Sequence, residues 1–417
     1  MLPSIDMSSY CIHLFTRDFR IRDNLGLIAA SQNFDHIIPV FIFDDRQVNP
    51  QTNPYYNANV IEFMLQALSS LSIILDHKLR CYYGYDYISA LRDVPEIDSV
   101  SGITMCADVT PFARQRASEI SELCKEKGIA FIEQEDYNLA GPTVGIKHDS
   151  QHNPIHTQLL PDEYYLNKPY KTRHHFLKNI SPITEPTSFK VPSERFVGSS
   201  SGYFIRQIKY QILENISLSI GNACRYRAFM LLRSFDINEY SKHKQDPSKQ
   251  VTTGLSPFLK FGLISIREVA SHTTEGDSLR NELLFRDFFC SLSFHFPSPL
   301  MDWTSRLRNE DYEWTASEEK ISNLFSANTE YDYLNQRIQE LYSTGRIHNR
   351  DRMYLAVYLH DHDIDWKWGE YLFATTLIDY DQSVNHWNWS WHSKQGVNNQ
   401  WPGKKINLDK HISQRPL

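Results

Sequence analysis

Short apolar segments alternate with longer amphipathic ones through the first third of the chain. Five of the short segments have the β-branched and aromatic composition of strands, at 11–15, 36–43, 79–84, 101–107 and 129–132. Two of the segments between them, 58–74 and 112–127, repeat their apolar residues at helical spacing. This alternation predicts a doubly wound, parallel α/β sheet over residues 1–135. No GxGxxG follows the first strand, so the fold alone does not indicate a ligand.

The pattern changes at about residue 136. Residues 136–205 are rich in Pro, Ser, His and Asn and lack a clear period, which predicts a long connector on the surface. Its basic, aromatic stretch at 168–178 is interpreted as a solvated loop, with direct contact to nucleic acid as the alternative. From 206 to 417 helical spacing dominates, so the second domain is predicted to be all-α.

Composition narrows the class of protein. A chain of 417 residues suggests two domains, and no apolar run approaches the roughly 20 residues of a bilayer-spanning helix. The N-terminal segment shows no secretory signal, so we expect a cytoplasmic protein without a membrane anchor. Six scattered cysteines without a CxxC pair do not favour disulfides, and we expect no metal site. The net charge of −7 argues only weakly against nucleic-acid binding, because phosphate binding depends on a local basic patch.

Two groups of residues in the second domain suggest ligand chemistry. The hydroxyl-rich segment 252–256, before Pro257, offers donors at a helix start, which suits either a diphosphate or an ordinary capped helix. Asp379 and Asp381 lie in an otherwise apolar stretch. Buried carboxylates need partners, and Arg352 is the predicted one, either beside a ligand or in a core network of salt bridges.

Three segments resemble the DNA photolyase/cryptochrome family, and together they extend over nearly the whole chain. They are HLFTRDFRIRDNLGL at 13–27, TTGLSPFLKFGLIS at 252–265 followed by NELLFRDFF at 281–289, and GRIHNRDRM at 345–353 with IDWKWGEYLFATTLIDYD at 364–381 and NHWNWSW at 385–391. The resemblance implies an α/β domain, a connector and a helical domain that holds FAD in a bent conformation.

The resemblance assigns one set of residues to FAD. They are Tyr240, Thr252, Thr253, Gly254, Leu255, Ser256, Arg286, Arg352, Asp379, Asp381 and Asn385. Arg352 is expected to pair with Asp379, and Asp381 to accept the flavin imide N–H. Gly254 stands where many relatives carry a longer side chain. Asn385 is expected to face the redox-active ring nitrogen, where a neutral amide suits the reduced flavin that repair requires.

All eight tryptophans lie after residue 300. For any single one of them, a place in a bulky core is the simpler interpretation. Trp389, Trp366 and Trp314 nevertheless match the three family positions that relay electrons between the flavin and the surface. The resemblance therefore implies a tryptophan relay.

A third set of residues matches the family's substrate positions. Glu282, Asn349 and Met353 are expected to bind the pyrimidines of a dimer that has flipped out of the duplex. Photolyases that act on 6-4 photoproducts carry two histidines in place of Asn349 and Met353. The neighbouring His348 is interpreted as structural, so the resemblance favours a cyclobutane pyrimidine dimer.

Further positions match the family's DNA-facing surface. Phe285 stands where relatives usually have a tryptophan that stacks on the dimer, and the smaller ring offers less stacking area. Arg350, Lys404 and Lys244 match positions that contact phosphates beside the lesion, with ordinary surface charge as the alternative.

These matches predict a light-driven deoxyribodipyrimidine photolyase that binds damaged DNA. The first alternative is a cryptochrome-like blue-light photoreceptor without repair activity, and the second is a flavoprotein that repairs only single-stranded DNA. The resemblance also implies a second, light-harvesting chromophore between the domains, a folate or a deazaflavin, and a monomeric protein.

Overall fold

The computed structural model describes residues 8–139, 173–179, 183–212, 223–249, 251–296, 314–392 and 408. Within these ranges a sheet domain is followed by a connector and a helical domain, which is the architecture that the sequence predicts.

Five parallel strands form the sheet of the N-terminal domain. They are β1 (Tyr10–Phe15), β2 (His36–Asp44), β3 (Arg80–Tyr85), β4 (Gly102–Cys106) and β5 (Ala130–Gln134). Their order is β3-β2-β1-β4-β5, and every neighbouring pair is parallel. The predicted doubly wound sheet is confirmed, and each strand overlaps the segment predicted for it.

Helices cover this sheet because its central strands are apolar on both faces. Cys11 and Phe15 of β1 belong to one hydrophobic cluster, and Ile12 and Leu14 to another. The helices of this domain are α1 (Leu25–Asn33), α2 (Asp45–Val48), α3 (Ala58–Ile74), α4 (Tyr87–Arg92) and α5 (Pro111–Lys127), with a 3-10 turn at Pro95–Asp98. The Asn57 side chain caps α3 by accepting from the Val60 amide at 3.1 Å.

The connector and the second domain contain the other described helices. The connector has α6 (Arg173–Asn179), a 3-10 turn at Ser193–Arg195 and the beginning of α7 (Ile205–Ile212). The helical domain has α8 (Arg225–Ser234), α9 (Ile237–His243), α10 (Ser256–Lys260), α11 (Ile266–Ala270), α12 (Ser278–His295), α13 (Glu318–Phe325), α14 (Asp332–Thr344), α15 (Asn349–Asp361), α16 (Trp366–Thr376) and α17 (Gln382–His392).

The connector differs from its prediction at α6. The sequence predicts a solvated loop at 168–178, but the described part of this stretch is helical. Phe176 of α6 is fully buried, and its ring centroid lies 5.6 Å from that of Phe288 in α12. The solvated-loop interpretation is therefore wrong for this part, because an apolar side chain anchors the basic helix on the helical domain.

The sheet domain and the helical domain share one hydrophobic core. Phe63 of α3 packs against Phe258 of α10 and against Phe261, with ring centroids 5.3 and 5.4 Å apart. Beside this core, the buried Arg267 pairs with Asp23 at 3.1 Å and with Asp136 at 2.7 Å. Buried charges need matched partners, so this network fixes the orientation of one domain on the other.

None of the helices in the described ranges has the length and apolar character needed to cross a membrane. The six cysteines are free thiols, and five of them are buried.

Candidate flavin site

A cavity of about 190 Å³ lies in the helical domain among α10, α12, α15, α16 and α17. Its wall is rich in ionisable groups, since Arg286 and Arg352 supply positive charge and Asp379 and Asp381 supply negative charge, with Lys260 as a further basic side chain. We call it the helical-domain cavity.

Nine residues that the sequence assigns to FAD, substrate or electron relay line the helical-domain cavity. They are Ser256, Arg286, Asn349, Arg352, Met353, Asp379, Asp381, Asn385 and Trp389. They come from four helices and from the loop before α17, so the fold gathers side chains that lie far apart in the sequence.

Arg352 and Asp379 form an ion pair in the cavity wall. Nη2 of Arg352 donates to both oxygens of Asp379, at 3.1 and 2.9 Å, and the Ser256 hydroxyl donates to the same carboxylate. Burial by itself would raise the pKa of Asp379, but Arg352 and the hydrogen bond from Ser256 hold it below its usual range. The ionised carboxylate therefore fixes both Ser256 and Arg352.

Asp381 has partners from the sheet domain, which sequence reasoning missed. One of its oxygens accepts from the Val384 amide at 3.1 Å. The other accepts from the guanidinium of Arg17 and from the Tyr137 hydroxyl. Burial opposes ionisation of Asp381, but Arg17 and then Arg286 lower its pKa well below its usual range. The sequence offers no local signal for these partners, because Arg17 and Tyr137 lie 364 and 244 positions from Asp381.

Arg286 reaches the cavity across the ring of Tyr137. Its guanidinium carbon lies 3.4 Å from the ring centroid, and Nη1 donates to the Tyr137 carbonyl at 2.6 Å. Burial raises the pKa of Tyr137, so its hydroxyl retains the proton that it donates to Asp381. The beginning of the connector, just after β5, thus contributes part of the cavity wall.

Lys260, like Arg17 and Tyr137, was not identified as a site residue from the sequence. Its Nζ donates to the Ile378 carbonyl at 3.2 Å, and its side chain is half-buried. Burial lowers the pKa of Lys260 to about 7, and the charge of Arg17 adds to the shift. No feature of the segment around Lys260 distinguishes it from a surface lysine.

Tyr240 and the segment 252–255 lie outside the wall of the helical-domain cavity. Thr252 is exposed, and the Thr253 hydroxyl accepts from the Leu255 amide at 3.2 Å. Gly254 has a φ of +64°, in the left-handed region that favours glycine. This conformation accounts for the lack of a longer side chain at that position.

The three predicted relay tryptophans belong to one hydrophobic cluster. Trp389 lines the helical-domain cavity, and its ring centroid lies 5.0 Å from that of Phe373. Trp366 is equally buried in the same cluster. Trp314 is only partly buried at the edge of the cluster. The cluster therefore extends from the cavity wall toward the surface.

Asn349 and Met353 lie one turn apart at the beginning of α15. His348 caps this helix, because its Nδ1 accepts from the Arg350 amide at 3.1 Å. Nη1 of Arg350 contacts the Met353 sulfur at 3.0 Å. His348 thus has the structural role expected from the sequence, while Asn349 and Met353 face the cavity.

The other residues predicted to face the DNA lie on α12 and just after α9. Glu282 is half-exposed and pairs with Lys244 at 3.0 Å. Phe285 is partly buried, with the guanidinium of Arg173 over its ring. Lys404 lies outside the described residues.

The donors and acceptors of the helical-domain cavity fit a flavin. Asp381 offers a carboxylate to an imide N–H, while Arg286 offers positive charge to a reduced, anionic ring. Trp389 gives the flat apolar surface that a planar ring needs, and Asn385 adds a neutral amide.

A second cavity, of about 500 Å³, lies between the domains at the carboxyl ends of β1 and β2. We call it the interdomain cavity. The carboxyl edge of a parallel sheet is the usual place for a ligand. Aromatic and cationic side chains line it, including Phe43, Phe112 and Arg116, and Lys260 and Asp381 line both cavities.

The sheet domain, the helical domain and its cavity define a two-domain flavoprotein. Residues 11–157 match the DNA photolyase family, and residues 278–411 match the FAD-binding domain of DNA photolyase. The chain belongs to the DNA photolyase family, and the prediction of FAD as its cofactor is confirmed.

Similar proteins include enzymes with different named activities. A deoxyribodipyrimidine photo-lyase of Agrobacterium fabrum is 32% identical over 408 residues, covering 92% of this chain and 80% of the relative. A (6-4)DNA photolyase of Oryza sativa is 25% identical over 423 residues, covering 91% of this chain and 73% of the relative. The crystal structure of an archaeal photolyase from Sulfolobus tokodaii with two FAD molecules has a TM-score of 0.81 and 29% identity, covering 97% of this chain and 87% of the other.

Proposed function

We propose that this protein uses light to repair cyclobutane pyrimidine dimers in DNA. The observation that supports this substrate is that Asn349 and Met353 both line the helical-domain cavity from one face of α15. An amide can hydrogen-bond to pyrimidine carbonyl and N–H groups, and a thioether can pack on a ring face. The two histidines of the 6-4 photolyases transfer a proton at neutral pH. An amide and a thioether cannot do so.

Within this proposal, Asp381 accepts the flavin imide N–H, and Arg286 and Asn385 lie beside the ring. The hydroxyl and backbone donors of residues 252–256 serve the diphosphate. When bound, FAD supplies the light-absorbing group that lends an electron to the dimer and takes it back. The positive charge of Arg286 favours a reduced, anionic ring.

The cluster of Trp389, Trp366 and Trp314 has the composition needed to keep the flavin reduced. An indole is readily oxidised, and the cluster joins the cavity wall to a partly buried edge. We assign these three residues to electron transfer from the surface.

Damaged DNA would bind to the surface around Glu282. A dimer must leave the duplex to reach the cavity, which costs about a few kcal/mol and less for a damaged pair. Glu282 accepts hydrogen bonds from the pyrimidines, and Lys244, Arg350 and Lys404 contact the neighbouring phosphates.

The interdomain cavity is our candidate for a second, light-harvesting chromophore. Its mixture of aromatic and cationic side chains suits either an aromatic, anionic folate or a deazaflavin. The absorption spectrum of material released from the purified protein would distinguish these two.

The test is repair of one cyclobutane thymine dimer in a short oligonucleotide by purified, chemically reduced protein. We expect loss of the dimer in blue light and none in darkness. A matched oligonucleotide with a 6-4 photoproduct is the control and should stay intact. If the dimer survives illumination although FAD is bound and reduced, the proposal fails and a cryptochrome-like photoreceptor becomes the better interpretation.

A further inference from the structure

The connector helix α6 adds a side chain to the surface that carries Glu282 and Phe285. The guanidinium carbon of Arg173 lies 4.4 Å from the centroid of the Phe285 ring. Nη2 of Arg173 donates to Oδ1 of Asn281 at 3.0 Å. Phe176, one turn along α6, is buried against α12 and holds the helix in place. Arg173 is thus positioned on α12 by packing as well as by its own contacts.

These contacts do not satisfy every N–H group of the Arg173 guanidinium. Nε of Arg173 is buried and has no hydrogen-bond partner within the ranges that the structure describes. The side chain as a whole is only partly buried. An unpaired, buried guanidinium N–H is unfavourable, so stability alone does not account for the position of Arg173 on Phe285.

The planar guanidinium of Arg173 and the Phe285 ring together present flat groups to a ligand. The guanidinium of Arg173 lies over the Phe285 ring, the side chain is only partly buried, and a planar guanidinium can stack on another planar group. Nucleic-acid bases stack on arginine planes as they do on aromatic rings. Arg173 and Lys244 together also outweigh the single negative charge of Glu282 on this surface.

We propose that Arg173 binds the substrate, with its guanidinium and Phe285 together forming the surface on which a base of damaged DNA stacks. Phe285 is smaller than the tryptophan of relatives, and the guanidinium restores the lost stacking area from a different part of the chain. This inference rests on the proposed function, since it names a residue that recognises the same lesion.

Binding in darkness tests the inference separately from repair. Dissociation constants would be measured for an oligonucleotide with one cyclobutane dimer and for the undamaged oligonucleotide, with wild-type, R173A and R173K protein. We expect R173A to weaken binding of the damaged strand by about tenfold, the order expected for loss of one base-stacking contact. Binding of the undamaged strand should change much less. R173K keeps the charge without the planar group, so it should resemble R173A.

A matched control is R206A, because the guanidinium of Arg206 lies 5.6 Å from the ring of Phe204 on the connector, and Arg206 is exposed. This variant loses the same charge and the same type of contact, and it should bind like the wild type. The double variant R173A/F285W should recover part of the lost affinity, because the indole replaces the missing area.

Three outcomes would overturn the inference. They are a wild type that does not prefer the damaged strand, an R173K variant that binds like the wild type, and an R173A variant that weakens both strands equally. The last would indicate that Arg173 only stabilises α6, which a lower melting temperature would show. A wild type that prefers the dimer in darkness but does not repair it in light refutes the proposed function, and the Arg173 comparison still applies.

Discussion

Arg17 of the sheet domain pairs with Asp381, the residue just before α17 in the helical domain. The same guanidinium lies 2.9 Å from Asp108 and 4.1 Å from the centre of the Tyr137 ring. Asp381 lines both cavities. The pair therefore joins the two domains at the boundary between the two candidate ligand sites.

Substitution R17M should destabilise the protein. Asp381 would keep its ionised carboxylate in a buried position, with Tyr137 and Val384 but without its closest cation. We expect the free energy of unfolding to fall by about 2 kcal/mol, less than for a fully buried pair because Arg17 is partly exposed. Urea unfolding measures this loss. The control R22M changes an exposed arginine and should alter stability by no more than about 0.5 kcal/mol. Equal effects of the two substitutions would contradict the prediction.

Lys260 should make stability depend on pH above neutrality. Its pKa is about 7 in the folded protein and 10.5 as the ordinary value. Between these two pH values Lys260 is protonated in the unfolded chain but not in the folded protein. The free energy of unfolding therefore rises with pH between about 7 and 10.5, and below this range it does not depend on the titration of Lys260. The slope from one such group is at most about 1.4 kcal/mol per pH unit.

Urea unfolding of the wild type and of K260M at pH 6, 7, 8 and 9 isolates this contribution. The difference in unfolding free energy, wild type minus variant, should be flat from pH 6 to 7 and should increase from pH 7 to 9. Other titrating groups cancel in the difference because both proteins contain them. A difference that does not change with pH would mean that Lys260 titrates near its ordinary pKa.

Gly262 of the helical domain lies against the backbone of Arg17 and Asp18 in the sheet domain. It has a φ of +63°, and a Cβ there would lie 2.6 Å from Cα of Asp18. G262A should therefore lose stability through both backbone strain and steric overlap. Gly254 is a matched control, because its φ is +64° but a Cβ would find no atom closer than 3.9 Å.

Both alanine substitutions force a residue with a Cβ into the left-handed region, at about 1 kcal/mol each. We expect G262A to cost about 1 to 3 kcal/mol more than G254A, because packed backbone cannot move aside. Thermal or urea unfolding gives both values. Similar losses in the two variants would show that the domains separate at Gly262 without penalty.

The fold was largely predictable because its signals are local. β1 and β2 are apolar on both faces and flanked by helices with a clear period, which is typical of a parallel sheet. Helix α6 was missed because Phe176 is the one fully buried residue among the α6 side chains that the structure describes, within a basic, polar stretch. A single anchor gives no periodicity, and its partner Phe288 lies more than 100 positions away.

The site was predictable only in part. Arg352 and Asp379 lie 27 positions apart in segments that resemble the family, and the structure pairs them. Arg17 and Tyr137 reach Asp381 over 364 and 244 positions. No local pattern encodes such contacts, because they depend on how the sheet domain docks against the helical domain.

Trp366 is the residue of the tryptophan cluster whose role in electron transfer can be tested against a neighbour on the same helix. Trp366 is 4% exposed in the cluster with Trp389, whereas Trp368, two positions along the same helix, is 37% exposed. If electrons reach the flavin through the cluster, W366F should largely abolish light-driven reduction of bound, oxidised flavin in the presence of an external reductant. W368F removes an indole of the same size from the same helix and should reduce the flavin at the wild-type rate.

The readout is the loss of the flavin absorption near its blue maximum during illumination, after both variants have been shown to bind the same amount of FAD. Repair by chemically reduced protein should be unaffected in W366F, because the relay only restores the reduced flavin. An equal slowing in both variants would indicate a general loss of packing in α16. Normal photoreduction in W366F would place the electron path outside this cluster.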